Sequence, residues 1–354
     1  MGKNKLLSVI VPLFNVEEFA ERAAKSIASQ AFDGLEVVLV DDGSTDNSMG
    51  IFASGLQGLD VLAIQQENKG PGGARNTGIR AATGEYIMFL DGDDFLLPGA
   101  FENIMAALDE ACGPDVLFGR YLRWTPESGF LKGAEYGFEP PEDPEKRTEY
   151  ICGGLPERSW NVWRYVCRRE FVVDKGHFFD TALFCGEDVK WMLALLDSAG
   201  SVAYCSEPFY AYYYHRDGSI MNSRSNRRLL DLNAVAIELL QKYSARPGVC
   251  RYLAQDTFYS INEYCAFSRA DRKQLYDSYK ALLPYYRYSG AALHRMVGKF
   301  RNPVLFYLLS VLLRMARQGR RASIALRNRG GEEPEAIGEP PVDVILSEAK
   351  DLYP

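Results

Sequence analysis

The run Tyr86-Ile87-Met88-Phe89-Leu90 ends abruptly in Asp91-Gly92-Asp93-Asp94, and this junction constrains the fold more than any other feature of the chain. An unbroken apolar run of that length reads as a strand, and open α/β sheets bind ligands at the carboxyl edge of their strands. Closely spaced carboxylates there, with a glycine permitting the turn, put hard oxygen ligands where a divalent cation can bind. Mg²⁺ or Mn²⁺ held by only one or two carboxylates keeps positions for water and substrate phosphates. The expected guest is therefore a nucleoside diphosphate group rather than a structural ion. An acidic, solvated turn is the competing reading.

Earlier segments favour the sheet. Leu7 to Pro12 and Leu35 to Val40 are short β-branched runs, each followed by a helical pattern, as in consecutive βα units of a parallel sheet. The second ends in Asp41-Asp42-Gly43-Ser44-Thr45-Asp46. Asp46 or Ser48 could cap the next helix, which would make this an ordinary capped turn. A cap needs one such residue, whereas two carboxylates precede the glycine here, where an Asp can accept a hydrogen bond from a base N–H. A third strand, Val61 to Gln65, leads into the glycine-rich stretch Asn68 to Gly78, whose amides and helix dipole could face an anion. Neither common phosphate fingerprint is present. Val11-Pro12-Leu13-Phe14-Asn15 follows the first strand in place of G-x-G-x-x-G, and Gly73-x-x-x-x-Gly78 continues into Ile79-Arg80. These differences argue against a dinucleotide oxidoreductase and a P-loop NTPase.

The segments Ser8 to Asn15 (SVIVPLFN), Val38 to Ser48 (VLVDDGSTDNS), Asn68 to Ile79 (NKGPGGARNTGI) and Gly84 to Asp94 (GEYIMFLDGDD) occur in that order. Together they resemble the inverting nucleotide-sugar glycosyltransferases of family 2, which have the GT-A fold. The resemblance is specific to about residue 94 and thinner to about residue 220. It implies an α/β, Rossmann-like, mixed and mostly parallel sheet flanked by helices. It places the nucleotide-sugar against Pro12, Asp41, Asp42, Gly43 and Arg75, with Asp41 at the base and Arg75 beside the base and phosphates. Asp91 is expected near the ribose, and Asp93, with Asp91, at the Mn²⁺ or Mg²⁺ that bridges the diphosphate.

Past residue 120 the pattern loosens. Pro126 through Arg147 is rich in Pro, Gly and charge, which marks an exposed insertion or lid. Cys185-Gly186-Glu187-Asp188 then opens an amphipathic helix. Acids in a first helical turn commonly just complement the macrodipole. In the resembled family such a pair supplies the general base, which takes the acceptor hydroxyl's proton as the oxygen attacks the anomeric carbon. Asp188 is assigned that role, with Glu187 as the alternative. Tyr210 to Ile220 reads as an aromatic strand with a polar end, and the resemblance implies that His215 or Arg216 touches phosphate or metal. His177 and His294 have no motif around them and are read as structural. Trp160 and Trp163 divide between core packing and an acceptor-sugar platform.

A chain of 354 residues with 47% hydrophobic content can bury one α/β domain and leave material for a helical appendage. The expected division is a catalytic domain over 1–220 (nucleotide-sugar half 1–120, acceptor half 121–220), a helical basic region over 221–329 and a loose acidic tail over 330–354. Seven cysteines without C-x-x-C spacing support neither zinc nor a disulfide framework, so a reducing cytoplasm is expected. The N-terminal apolar run is broken by Pro12 and reads as a strand rather than a signal peptide. Between Arg287 and Arg329 stand ten Lys or Arg and no acid, around the apolar run Pro303 to Leu313. That run is short for a membrane span and suits an interfacial helix on an anionic membrane, at the inner face of the cell membrane. A core helix with solvated arginines is the alternative, and no nucleic-acid recognition module accompanies the charge.

The expected activity is metal-dependent inverting transfer from a nucleotide-sugar, a UDP-sugar foremost, to a glycan or lipid-linked saccharide acceptor in cell-surface polysaccharide synthesis. Two alternatives remain: a sugar nucleotidyltransferase, which would release pyrophosphate, and an inactive sugar-nucleotide-binding subunit.

Overall fold

The computed structural model describes residues 5–131, 141–153, 161–214, 226–261, 264, 267–282 and 310. The chain divides into two compact units, Met1–Ser223 and Arg224–Pro354. The first begins with four parallel strands, β1 (Leu7–Leu13), β2 (Leu35–Asp41), β3 (Asp60–Gln65) and β4 (Tyr86–Phe89). Helices α1 (Glu17–Ala28), α2 (Ser48–Gly55) and α3 (Gly70–Ala81) connect them in turn. Next come β5 (Phe95–Leu96), α4 (Ala100–Glu110), β6 (Val116–Thr125), β7 (Gly129–Leu131) and α5 (Pro144–Gly153). A 3-10 turn at Val162–Arg164 leads into β8 (Tyr165–Arg168), α6 (Arg169–Asp174), α7 (Glu187–Ser198) and β9 (Val202–Tyr213).

All of these strands join one mixed sheet, ordered β3-β2-β1-β4-β8-β6-β9-β5, with β7 hairpinned onto β6. The parallel half ends at β4. Beyond it β8 runs antiparallel to both β4 and β6, while β9 lies parallel to β6. Strand alternation assigns the two faces. Leu7, Val9, Val11 and Leu13 of β1 enter a core with Ala20, Ala23, Ala24 and Ile27 of α1, Phe52 of α2 and Ile104 of α4. On the opposite face Ile10 meets α3 at Gly78, where an added Cβ would stand 2.2 Å from Ile10 Cγ2. Only glycine lets α3 lie this close to the sheet, and Gly78→Ala would push the helix off β1. Alongside α3, Trp191 of α7 packs edge-on to Phe89 and stacks on Phe179 at 5.0 Å.

Two expectations change, and one open alternative closes. The stretch 126–147 is only partly an exposed insertion. Pro144–Gly153 is helical, and its Arg147 and Thr148 are buried, with Arg147 donating to the Ala199 carbonyl. The aromatic strand starts at Val202, well before Tyr210, because a register shift opposite Gly119, Arg120 and Tyr121 absorbs the polar Ser206-Glu207-Pro208 interruption. Trp163 is a core residue, 3% exposed and stacked on Tyr210 at 4.2 Å, so it is no sugar platform.

The second unit contains α8 (Asn226–Lys242), α9 (Pro247–Ile261) and α10 (Arg269–Leu282). Leu229, Leu239, Leu240, Leu275 and Tyr279 are buried, and Asn233 Nδ2 donates to Ser278 Oγ at 2.7 Å. Among the described residues no helix is long and apolar enough to cross a membrane. Trp160, His215, Arg216, His294 and the tail 330–354 lie outside the described residues, as do 287–329 apart from Ser310.

Candidate active site

The carboxyl edges of β2, β1 and β4 lie side by side, and each expected donor-site residue from the first hundred positions falls on or beside this edge. Leu13 pairs with Asp41 across β1 and β2, and the Leu90 amide donates to the Ile10 carbonyl on the other side of β1. Pro12 is therefore central. Its carbonyl oxygen would lie 3.3 Å from a Cβ added to Gly92, so the strand-end proline and the Asp91-Gly92 turn touch.

Asp41 and Asp42 are both buried, and each already has work within the chain. Asp41 Oδ1 accepts the Ser44 amide at 2.9 Å, closing a turn through Gly43 at φ +81°. Asp42 Oδ1 accepts from Gln66 Nε2 at 2.7 Å and from the Lys69 amide at 2.8 Å. Thus Asp42 fixes the entry to the glycine-rich helix α3, while Asp41 closes the turn at the end of β2. The loop after β1 is latched to the same turn, with Thr45 N donating to Asn15 Oδ1 at 2.9 Å.

Arg75 is the hub. It projects from α3, only 6% exposed, with Nη2 on Asp91 Oδ1 at 2.9 Å and Nη1 on Glu187 Oε1 at 3.3 Å. One guanidinium thus bridges the strand edge to the first residue of α7. Its carboxylate partners hold its pKa above the usual arginine value against the opposing effect of burial. Burial pushes the Glu187 carboxyl upward, and the Arg75 charge opposes that shift. The approach to α7 is pinned as well: Asn76 Nδ2 donates to the Phe179 carbonyl and Asn76 Oδ1 accepts the Phe179 amide, both at 2.8 Å. Asp188, next after the buried Glu187, is half-buried, and its Oδ1 accepts the Val189 amide at 2.8 Å. Its charge also reaches Arg75.

At the carboxylate turn, Asp94 is 1% exposed. Its Oδ2 accepts from Tyr210 Oη at 2.7 Å and its Oδ1 from the Tyr213 amide at 2.7 Å, while Tyr210 Oη accepts the Asp91 amide at 3.1 Å. Burial drives the Asp94 carboxyl well above the usual range, and the charges of Asp93 and Asp91 add to the rise. From α1, Arg22 Nη2 donates to the Asp93 carbonyl at 2.7 Å.

Among the described residues no three or more His, Cys, Asp or Glu side chains converge as a protein cage for a metal. Mg²⁺ and Mn²⁺ sites that are completed by substrate phosphate need only one or two hard carboxylates. The donor chemistry of Asp91 and Asp93 fits that requirement. Asp91 is shared with Arg75.

Sequence reading missed Arg22, Gln66, Asn76 and Tyr210. Three of the four act on main-chain atoms, which leave no charge or spacing signature in a partner sequence.

The family model for glycosyl transferase family 2 matches residues 8–163. The uncharacterized glycosyltransferase YibD of Escherichia coli K12 is 31% identical over 245 residues, covering 65% of this chain and 67% of YibD. The chain belongs to glycosyltransferase family 2. It is an enzyme of the transferase class, and the nucleotidyltransferase reading is set aside. The poly(ribitol-phosphate) β-N-acetylglucosaminyltransferase TarS of Staphylococcus aureus is 29% identical over 274 residues, covering 75% of this chain but 45% of TarS. The crystal structure of TarS residues 1–349 with UDP-GlcNAc superimposes with a TM-score of 0.64 at 22% identity, over 89% of this chain and 92% of that one. At that identity the likeness establishes the fold: the mixed sheet with flanking helices is of the GT-A kind.

Proposed function

We propose that this protein is a metal-dependent inverting glycosyltransferase that moves a sugar from a UDP-sugar to a glycan or lipid-linked saccharide during cell-surface polysaccharide synthesis. One observation carries the reading. Arg75 bridges Asp91 at the strand edge and Glu187 at the start of α7, which brings a cation-binding edge and a second carboxylate, Asp188, to one place. The family's TarS member, named for N-acetylglucosamine transfer to poly(ribitol-phosphate), supports the donor and acceptor classes.

Asp41 takes the base, and Arg75 faces the phosphates while holding Asp91 and Glu187 in place. Asp93, with Asp91, would hold Mn²⁺ or Mg²⁺, and the chemistry such an ion would supply is neutralisation of charge on the departing diphosphate. Asp188 accepts the proton of the acceptor hydroxyl as its oxygen attacks the anomeric carbon from the face opposite the diphosphate, giving inversion. Glu187 is too buried and too firmly paired with Arg75 for that task, and it serves to position the arginine. His215 or Arg216 would add a contact to the diphosphate. The basic segment 287–329 would bring the enzyme to an anionic membrane surface on its cytoplasmic side.

The test is a donor panel of UDP-, GDP- and dTDP-sugars scored by nucleoside diphosphate release with Mn²⁺ or Mg²⁺. Release of UDP from a UDP-sugar that stops on chelation is expected. Pyrophosphate release, or turnover that survives EDTA, would reject the mechanism.

A further inference from the structure

Arg22 and Ser26 on α1 and Gln30 just past its end are spaced four residues apart, so they share one side of the helix. Each reaches the main chain of the segment that leaves the carboxylate turn. Arg22 Nη2 donates to the Asp93 carbonyl at 2.7 Å, and the Leu96 amide donates to Ser26 Oγ at 3.0 Å. Gln30 Nε2 donates to the Leu97 carbonyl at 3.1 Å, and its Oε1 accepts the Phe101 amide at 3.3 Å. The helix is a polar ladder along which residues 93–101 are laid. All partners are backbone groups, so the ladder sets the path of the segment whatever its side chains are.

The first rung is built at high cost. The Arg22 guanidinium lies 4.8 Å from the Phe95 ring centroid, 4.5 Å from Trp124 and 5.1 Å from Tyr213. Its buried Nε has no hydrogen-bond partner. Burying a cation this way is offset by cation-π attraction and one charge-assisted bond, and that bond goes to the Asp93 carbonyl. From the other side Asp94 is clamped by Tyr210 and the Tyr213 amide. The peptide that joins Asp93 to Asp94 is held at its carbonyl by Arg22 and at its amide by the Asp91 carbonyl, to which that amide donates at 2.9 Å.

We infer that Arg22 is a positioning residue for Asp93: by fixing the Asp93 carbonyl it fixes the direction of the Asp93 carboxylate toward the diphosphate site. The inference rests on the role given to Asp93 above. Without Arg22 that peptide keeps only its amide anchor on the Asp91 carbonyl, so the Asp93 carbonyl and the carboxylate beside it can shift while the sheet stays intact.

A double-mutant cycle on UDP binding, measured by calorimetry with Mn²⁺ and with EDTA, decides the matter. Arg22→Met should weaken UDP binding with Mn²⁺ by about tenfold, and Arg22→Lys by less, because an ammonium still donates to the carbonyl. In EDTA, or in an Asp93→Ala background, the same substitutions should change UDP affinity by less than about twofold, because interacting sites are not additive. A penalty of equal size in both backgrounds, or no penalty with Mn²⁺, overturns the inference. Should Arg22→Met not fold, as read from its melting curve, the Lys variant carries the cycle. An Asp93→Ala variant that binds UDP normally with Mn²⁺ would defeat the metal role of Asp93 and this inference together. A harmful Asp93→Ala combined with additive Arg22 variants defeats the inference alone.

Discussion

The two halves of the catalytic unit solve the same task, presenting carboxylates at a sheet edge, by opposite means. In the parallel half the strand itself delivers the acid: β2 ends in Asp41 and β4 runs into Asp91, with every residue of both strands buried. In the second half the carboxylate proposed as base is not on a strand. Asp188 sits on a helix start whose place is set by Arg75 and Asn76 reaching over from α3. The parallel half is thus positioned by its own sheet register, and the start of α7 by polar side chains lent from that half.

The largest effect expected from this contrast is at Asp93. Asp93→Ala should lower transfer by about 10³-fold or more, as loss of several kcal/mol of charge stabilisation implies, with the melting temperature unchanged. Chelation with EDTA should reproduce it. Retained activity would mean that the strand edge does not carry the metal.

Next is Asp188→Asn, which keeps shape but cannot take a proton. Turnover should fall by about 10²–10⁴ while calorimetric UDP affinity stays the same. Loss of donor binding together with activity would move Asp188 out of the base role and break the division between the halves.

The amino end of the sheet provides a pH test of the parallel half alone. Glu36, 2% exposed, receives Ser8 Oγ at 2.5 Å, Thr83 N at 2.8 Å and Lys5 Nζ at 2.6 Å. These donors outweigh burial and lower its pKa to about 2 from an ordinary 4.5. A depressed folded-state pKa contributes stability that is complete above pH 4.5 and is lost as pH falls toward 2. Its size is about 3 kcal/mol. Glu36→Gln should remove that slope from urea melts between these pH values, and an unchanged slope would disprove the assignment.

A milder change is expected at the joint. Glu187→Gln keeps one hydrogen bond to Arg75 and should destabilise by about 1–2 kcal/mol, with a raised donor KM. A variant with wild-type stability would show that the halves are not held together by this pair.

The smallest effect is at the membrane, where each basic side chain of 287–329 near an anionic surface contributes about 1 kcal/mol before screening. Full-length protein should sediment with anionic vesicles and release as salt rises. Equal recovery in the supernatant with and without such vesicles at low salt rejects this part.

What could be read from the sequence follows the same divide. β1, β2 and β4 are near-continuous apolar runs because both faces are covered, and their polar edges stand out against that background. β9 was read only from Tyr210 onward, since Ser206-Glu207-Pro208 breaks the alternation where the strand is bulged. β8 is only four residues long, too short for any period to show. At the site, Asp41, Asp91 and Asp93 announced themselves by position, whereas the buried status of Glu187 against the half-buried Asp188 depends on Arg75, 112 residues away. For Trp163 the sequence leaves core packing and a sugar platform both open, because an indole carries no mark of whether another ring, here Tyr210, already covers it.

The paired hydrogen bonds between Asn76 and residue 179 ask nothing of the side chain there, since both go to its amide and carbonyl. The ring supplies the rest of the docking: Phe179 is 3% exposed, stacked on Trp191 at 5.0 Å and edge-on to Phe89 at 5.6 Å. The stretch leading to α7 is therefore moored at one residue in two ways, by its main chain to α3 and by its ring to α7.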